Sequence, residues 1–158
     1  MYKQINDLIL LEARLQDEWR LDEWLELYAH DARYWIPIED KGDPETVASL
    51  VYETRQILEL RVEQLMRQER LSQTPRSEIM RTISNIEIDE RALTAHYCLL
   101  AVEVRSGDWR QHGLGEKRLF AGRCNVRYRA DGDRLRIAHK QIVLLDRRQP
   151  VEGLSFIL

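Results

Sequence analysis

Tyr28, His30 and Asp31 bring together side chains suited to moving protons, an imidazole that titrates near neutral pH beside a carboxylate and close to a phenol. With His96 or Tyr34 as partner, His30 and Asp31 would suit a small stand-alone enzyme, a dehydratase or isomerase acting on a hydrophobic cyclic molecule. A plainer reading is favoured. At the end of a helix, His30 would meet the last carbonyls and Asp31 would fix the turn into the next strand.

The other histidines and the thiols form no convergent set. His96 shares a strand face with Thr94, Cys98, Leu100 and Val102 and is read as a core group, and His139, alternating with Ile137 and Gln141, is read in the same way. His112 lies in a glycine-bearing loop and is expected to be solvated. Four histidines so scattered give no metal-ligand spacing, and neither Cys98-Leu99-Leu100 nor Cys124-Asn125-Val126 has a histidine neighbour. No cofactor is expected in this chain. The two cysteines sit in apolar alternating segments, so both thiols are expected to be reduced and buried.

These residues must be positioned by elements that the periodicity outlines. Ile5, Leu8, Ile9, Leu11 and Leu15 recur at helical spacing, and Asp22-Glu23-Trp24 opens a second, short helix. Ala32 to Ile36 reads as a short strand limited by Pro37, followed by a turn at Lys41-Gly42-Asp43-Pro44. From Thr46 to about Leu71, Val47, Leu50, Val51, Thr54, Leu58, Val62 and Leu65 make one apolar stripe, which predicts a long helix ending before the loop Ser72-Gln73-Thr74-Pro75.

The period then changes to that of strands: Arg81 to Ile88, Ala92 to Val104, Leu119 to Arg129 and Arg134 to Leu145. In the third of these, Phe120, Gly122, Cys124, Val126 and Tyr128 share one face and Arg123, Asn125, Arg127 and Arg129 the other, a sheet with one covered side. Ala130-Asp131-Gly132-Asp133 is a hairpin turn. Helices first and an antiparallel meander after them make an α+β fold, with N-terminal helices packed on a strongly curved, mainly antiparallel sheet.

At 158 residues with 44% hydrophobic content, the chain fits a single domain, 1–158, with a core of its own. Neither a basic start before a clean apolar run nor about 18 consecutive apolar residues is present, so a soluble, cytoplasmic protein is expected, with no membrane partner. Charge is unevenly placed: residues 1–31 hold three basic and eight acidic side chains, residues 105–148 twelve basic and five acidic. Such polarity fits a complementary protein surface. Nucleic acid fits poorly, because the basic residues are spread over strands with no recognition motif.

The order of elements resembles the cone-shaped fold of the nuclear transport factor 2 class, also described as cystatin-like. More specific stretches resemble the β subunits of aromatic-ring-hydroxylating dioxygenases. They are Glu12-Ala13-Arg14-Leu15 with Asp17-Glu18, Trp24-Leu25 and Tyr28; Tyr52-Glu53-Thr54-Arg55 with Leu60-Arg61-Val62; and Pro75-Arg76-Ser77 leading into Arg81-Thr82-Ile83-Ser84-Asn85-Ile86. Arg136-Ile137-Ala138, Lys140, Ile142-Val143-Leu144-Leu145 and Leu154-Ser155-Phe156-Ile157-Leu158 continue the likeness to the end.

The resemblance implies a non-catalytic structural subunit of a terminal oxygenase that degrades aromatic compounds. Its partners would be catalytic α subunits and sister β subunits in a three-plus-three hexamer. The α subunits would carry a Rieske [2Fe-2S] cluster and a mononuclear iron, whose cysteine, histidine and carboxylate ligands this chain does not offer. It also casts Arg81 and Asn85 as groups that fix the loop after Pro75 or touch a neighbouring subunit, against a carboxylate-binding alternative. Trp35 is assigned to core or interface, and Arg123, Arg127 and Arg129 to contact with α or a sister β subunit, against a solvated stripe.

Overall fold

The computed structural model describes residues 1–39, 41–105, 117–150 and 154–158. His112 and most of the 105–117 connection lie outside them. Helix α1, Tyr2–Asp17, buries Ile5, Ile9, Glu12, Leu15 and Gln16, a stripe at three- and four-residue spacing. Trp19, at a φ of 55°, turns the chain into the short helix α2, Leu21–Leu25.

Strand β1 runs Tyr28–Pro37, and β2, Ser49–Thr54, pairs antiparallel with it. Helix α3, Arg55–Met66, follows directly, and a 3-10 turn at Leu71–Gln73 precedes β3, Glu78–Asp89. The remaining strands are β4, Thr94–Val104, β5, Lys117–Asp131, and β6, Arg134–Leu144. All six strands form one sheet in the order β2-β1-β6-β5-β4-β3. Only the β1–β6 pairing is parallel, so the sheet is mixed but mainly antiparallel, as the sequence led one to expect. Gly132, at a φ of 58°, supplies the left-handed residue of the β5–β6 hairpin.

The long helix over residues 46–71 is corrected. Val51 and Glu53 point inward at strand spacing, and Thr54, extended at a φ of −78° and ψ of 167°, accepts from the Ile57 amide and starts the helix there. Val47, Leu50, Val51 and Thr54 fit a helical and a strand period alike, and pairing with β1 decides between them.

His30 and Asp31 also move. Helix α2 has ended at Leu25, so both residues lie exposed inside β1 rather than at a helix end.

The core fills one face of the sheet, between it and the three helices. Phe156, Ile157 and Leu158 complete it, each at most 3% exposed. Gln16 Nε2 and Tyr34 Oη both donate to the Leu158 oxygen, at 2.9 and 2.5 Å. This ties the last residues to α1 and β1.

The inward residues of β4 are Ala95, Tyr97, Leu99, Ala101 and Glu103. His96 is therefore exposed on the outer face, which overturns its reading as a core group. Both alternations of this strand are apolar enough to be buried, and packing of Tyr97 against the α1 side selects one of them.

A bulge in β6 changes which residues face inward. Tyr128 of β5 pairs with Ile137 and Arg127 with His139, leaving Ala138 as the extra residue. Ile137 and Lys140, three positions apart, thus both point into the core, while His139 and Gln141 are half-buried on the outer face.

Candidate functional site

Inside the fold, the side chains that could do acid–base work are locked together. Glu12 on α1 meets Lys140 Nζ at 2.7 Å, and Glu12 Oε1 also accepts from Tyr28 Oη at 2.7 Å and Trp24 Nε1 at 3.3 Å. Tyr97 Oη reaches the other carboxylate oxygen at 3.5 Å. Burial, with the Glu12 charge beside them, pushes the Tyr28 and Tyr97 phenols well above the usual tyrosine range, so both are uncharged donors. Trp24, Tyr28 and Tyr34 pack against one another in tilted and edge-to-face contacts, with centroids 4.7 to 6.5 Å apart. Every side chain here is committed to its neighbours, which makes this a structural cluster.

A second buried network anchors the loop into β3. Glu103, fully buried, accepts from Ser77 Oγ at 2.6 Å, Gln73 Nε2 at 3.1 Å and Arg118 Nε at 2.6 Å. Gln73 also bonds Ser155, so the Pro75 loop, two strands and the last residues share one junction.

Arg81 works beside this junction. Its amide donates to Asp17 at 3.0 Å, and its guanidinium pairs with the same carboxylate and donates to the Ile157 oxygen. Arg81 is 9% exposed and faces inward, so it belongs to this clamp and not to the outer face. The sequence offered loop fixing, subunit contact or carboxylate binding for it, and its partners here are the Asp17 carboxylate of α1 and the Ile157 oxygen.

The outer face of the sheet carries the other candidates. Asn85, at a φ of 52°, points outward at the β3 bulge and approaches Cys98 Sγ at 3.8 Å. Cys98 is partly exposed there, a correction to its expected burial, whereas Cys124 faces the core, where burial pushes its thiol up to about 12. Asn125 Nδ2 donates to Gln141 Oε1 at 2.7 Å, and Asn125 Oδ1 therefore accepts from His96 Nδ1 at 2.7 Å. Asn85, His96, Cys98 and Asn125, with Glu87 and Arg123, line a groove of about 370 Å³.

A separate groove of about 480 Å³ is lined by Asp31, Arg33, Arg127, Arg129 and His139. Arg129 pairs bidentately with Asp31, and this hydrogen bonding holds the Asp31 carboxyl down at about 2. Burial, then the neighbouring Arg127 charge, pushes the His139 pKa below its ordinary value. Trp35 is 5% exposed on this side of the sheet; its Nε1 donates to Ser49 Oγ at 2.8 Å and its ring meets Tyr52 and His139 edge-on. Asp31 and His96 thus line different grooves, and the candidate acid–base set is not brought together.

Among the described residues, no three of His, Cys, Asp and Glu are grouped as metal ligands. Nor is any described helix long and apolar enough to cross a membrane.

A buried ion pair thus lies within the fold, and arginines line the outer face of β5. Residues 11–149 match the family described as ring hydroxylating beta subunit. The chain belongs to that family. It is 32% identical over 161 residues to the small oxygenase component of the p-cumate 2,3-dioxygenase system of Pseudomonas putida, covering 98% of this chain and 86% of that one. It is 37% identical over 95 residues to the benzoate 1,2-dioxygenase subunit beta of Acinetobacter baylyi, a match that spans 56% of each chain.

Among solved structures, the beta subunit of the benzoate 1,2-dioxygenase of Burkholderia mallei superposes with a TM-score of 0.70 at 23% identity, over 97% of this chain and 95% of that one. An NTF2-like protein with a cystatin-like fold from Novosphingobium aromaticivorans superposes with a TM-score of 0.57 at 16% identity, covering 92% of this chain and 82% of that one. The α+β cone expected from the element order is the fold observed.

The sequence pattern missed the Glu12–Lys140 pair. Glu12 carried a signal, since it lies on the same helical stripe as Ile5, Ile9 and Leu15. Lys140 carried none, because the bulge at Ala138 hides which way it points.

Proposed function

We propose that this chain is the small, non-catalytic subunit of the terminal oxygenase component of a Rieske non-haem iron dioxygenase that hydroxylates aromatic rings. The family match over residues 11–149 carries the reading. The partner would be a larger catalytic subunit holding the Rieske cluster and the mononuclear iron, joined with sister copies of this chain in a cytoplasmic three-plus-three hexamer. The interior supports a structural role: Glu12, Lys140, Tyr28 and Trp24 occupy the space between helices and sheet where an enzyme of this fold would need a chamber.

The test is the mass and metal content of the native complex captured through a tag on this chain. A large assembly containing a heavier subunit with iron and acid-labile sulfide is the expected result. A small oligomer of this chain alone, turning over a cyclic substrate, would overturn the reading.

A further inference from the structure

Residues 154–158 are held by the rest of the fold the way a ligand is held. They form no helix or strand, and among the described residues no main-chain hydrogen bond joins them to another element. Side chains hold them instead. Gln16 Nε2 and Tyr34 Oη converge on the Leu158 oxygen, Arg81 Nη2 donates to the Ile157 oxygen, and Gln73 Nε2 donates to Ser155 Oγ at 2.8 Å. The Phe156 ring fills a niche against Phe120, edge to face with 5.4 Å between centroids, and the Arg81 guanidinium carbon lies 5.9 Å from its centre.

One donor in this niche is left over. Arg81 Nε is buried without a hydrogen-bond partner, on a side chain that is only 2% exposed. Buried donors are almost always paired, because an unpaired one costs its full desolvation. Nε and Nη2 share one edge of the guanidinium, the edge that can pair with both oxygens of a carboxylate. The Ile157 carbonyl brings a single oxygen to that edge, at Nη2, and leaves Nε empty. Asp17 engages Nη1 and the Arg81 amide, so it does not occupy the edge. The niche thus lacks a second oxygen beside a space that already accepts a phenyl ring.

We propose that this niche is a binding site for a small aromatic carboxylate, with the carboxylate on the Nε–Nη2 edge of Arg81 and the ring against Phe120 in the place of Phe156. Residues 154–158 are then a built-in competitor, and binding of the acid frees them from the core. The inference concerns this chain alone and goes beyond the proposed function without resting on it.

The test is calorimetric titration of the full chain with 3-phenylpropanoate, with 3-phenylpropanamide as the control that lacks a carboxylate. Phe156→Ala, which empties the place of the ring while the melting transition persists, should bind the acid about tenfold or more tightly than the unaltered chain and gain nothing for the amide. Adding Arg81→Lys keeps a charge opposite Asp17 but removes the two-donor edge, and should abolish that gain. In the unaltered chain, the Ile157 and Leu158 methyl NMR signals should move toward random-coil positions as the acid is added, while those of Ile9 stay.

A folded Phe156→Ala chain with no gain for the acid, or with an equal gain for the amide, would overturn the inference. So would Ile157 and Leu158 signals that stay in place throughout the titration, a result that depends on no variant folding. None of these readings involves a larger subunit, so they leave the proposed function to its own test.

Discussion

Glu12 of α1 and Lys140 of β6 form an ion pair at 2.7 Å with only 2 and 4% of their side chains exposed. Removing one member of a buried pair strands the other charge in a low-dielectric interior, at a cost of about 3–5 kcal/mol. Lys140→Met should therefore lower the urea midpoint by a corresponding amount, and adding Glu12→Gln should recover part of the loss. A Lys140→Met protein within about 1 kcal/mol of the parent would show that the pair is not holding α1 to the sheet.

Asp31 and Arg129 pair in solvent, with 64 and 52% of their side chains exposed. The carboxyl is held at about 2 mainly by the Arg129 hydrogen bonds. Because the folded value lies below the unfolded one, the pair's contribution is present above the ordinary carboxylate range and fades as pH falls toward 2. Carbon-detected NMR titration of Asp31 should show that low midpoint, and Arg129→Gln should raise it toward the ordinary carboxylate range. A midpoint that ignores Arg129→Gln would mean that the pair does not form in solution.

His139 acts in the same direction but nearer neutral pH. Its folded pKa is lowered from 6.5, first by burial and then by Arg127. The unfolded chain therefore takes up the proton first as pH falls below 6.5, and stability declines from there down to the folded pKa. Arg127→Gln removes the smaller cause, so the NMR midpoint of His139 should rise while staying below the ordinary value. A midpoint unmoved by Arg127→Gln would place the arginine away from the ring.

The two thiols should differ sharply. Burial lifts Cys124 to about 12, whereas Cys98 is partly exposed on the outer face. A thiol reagent at pH 8 should modify Cys98 in the dilute native chain and Cys124 only after unfolding, as read by peptide mass spectrometry. Equal rates for both in the native chain would contradict the burial of Cys124.

Where side-chain chemistry alternates cleanly, the strand faces could be read from sequence. In β5, arginine and asparagine alternate with aromatic, aliphatic and thiol groups, and the outward placement of Arg123, Arg127 and Arg129 follows. In β4 both alternations are rich in apolar residues, and packing covers only one of them. Leu100 and Val102 therefore looked like core, and His96 was drawn inward with them. The β2–α3 boundary was hidden by β-branched and aliphatic residues whose spacing serves either period, and only the long-range pairing with β1 separates them. Neither the Asp31–Arg129 contact, 98 positions apart, nor the Glu12–Lys140 contact, 128 apart, had a local signature.

The single extra residue at Ala138 divides β6 into two segments of opposite phase. Upstream, Ile137 is fully buried; downstream, Lys140 delivers a cation to Glu12, and between them His139 is turned to the outer face. Deleting Ala138 would leave Ile137, His139 and Lys140 in a regular in-out-in order opposite Tyr128 and Arg127, so the isoleucine and the lysine would keep their faces and the strand would lose only its local bend. Ala138 is thus the one position of β6 at which a residue could be lost without turning the strand over, whereas a deletion anywhere between Lys140 and Leu144 would move inward side chains to the outer face.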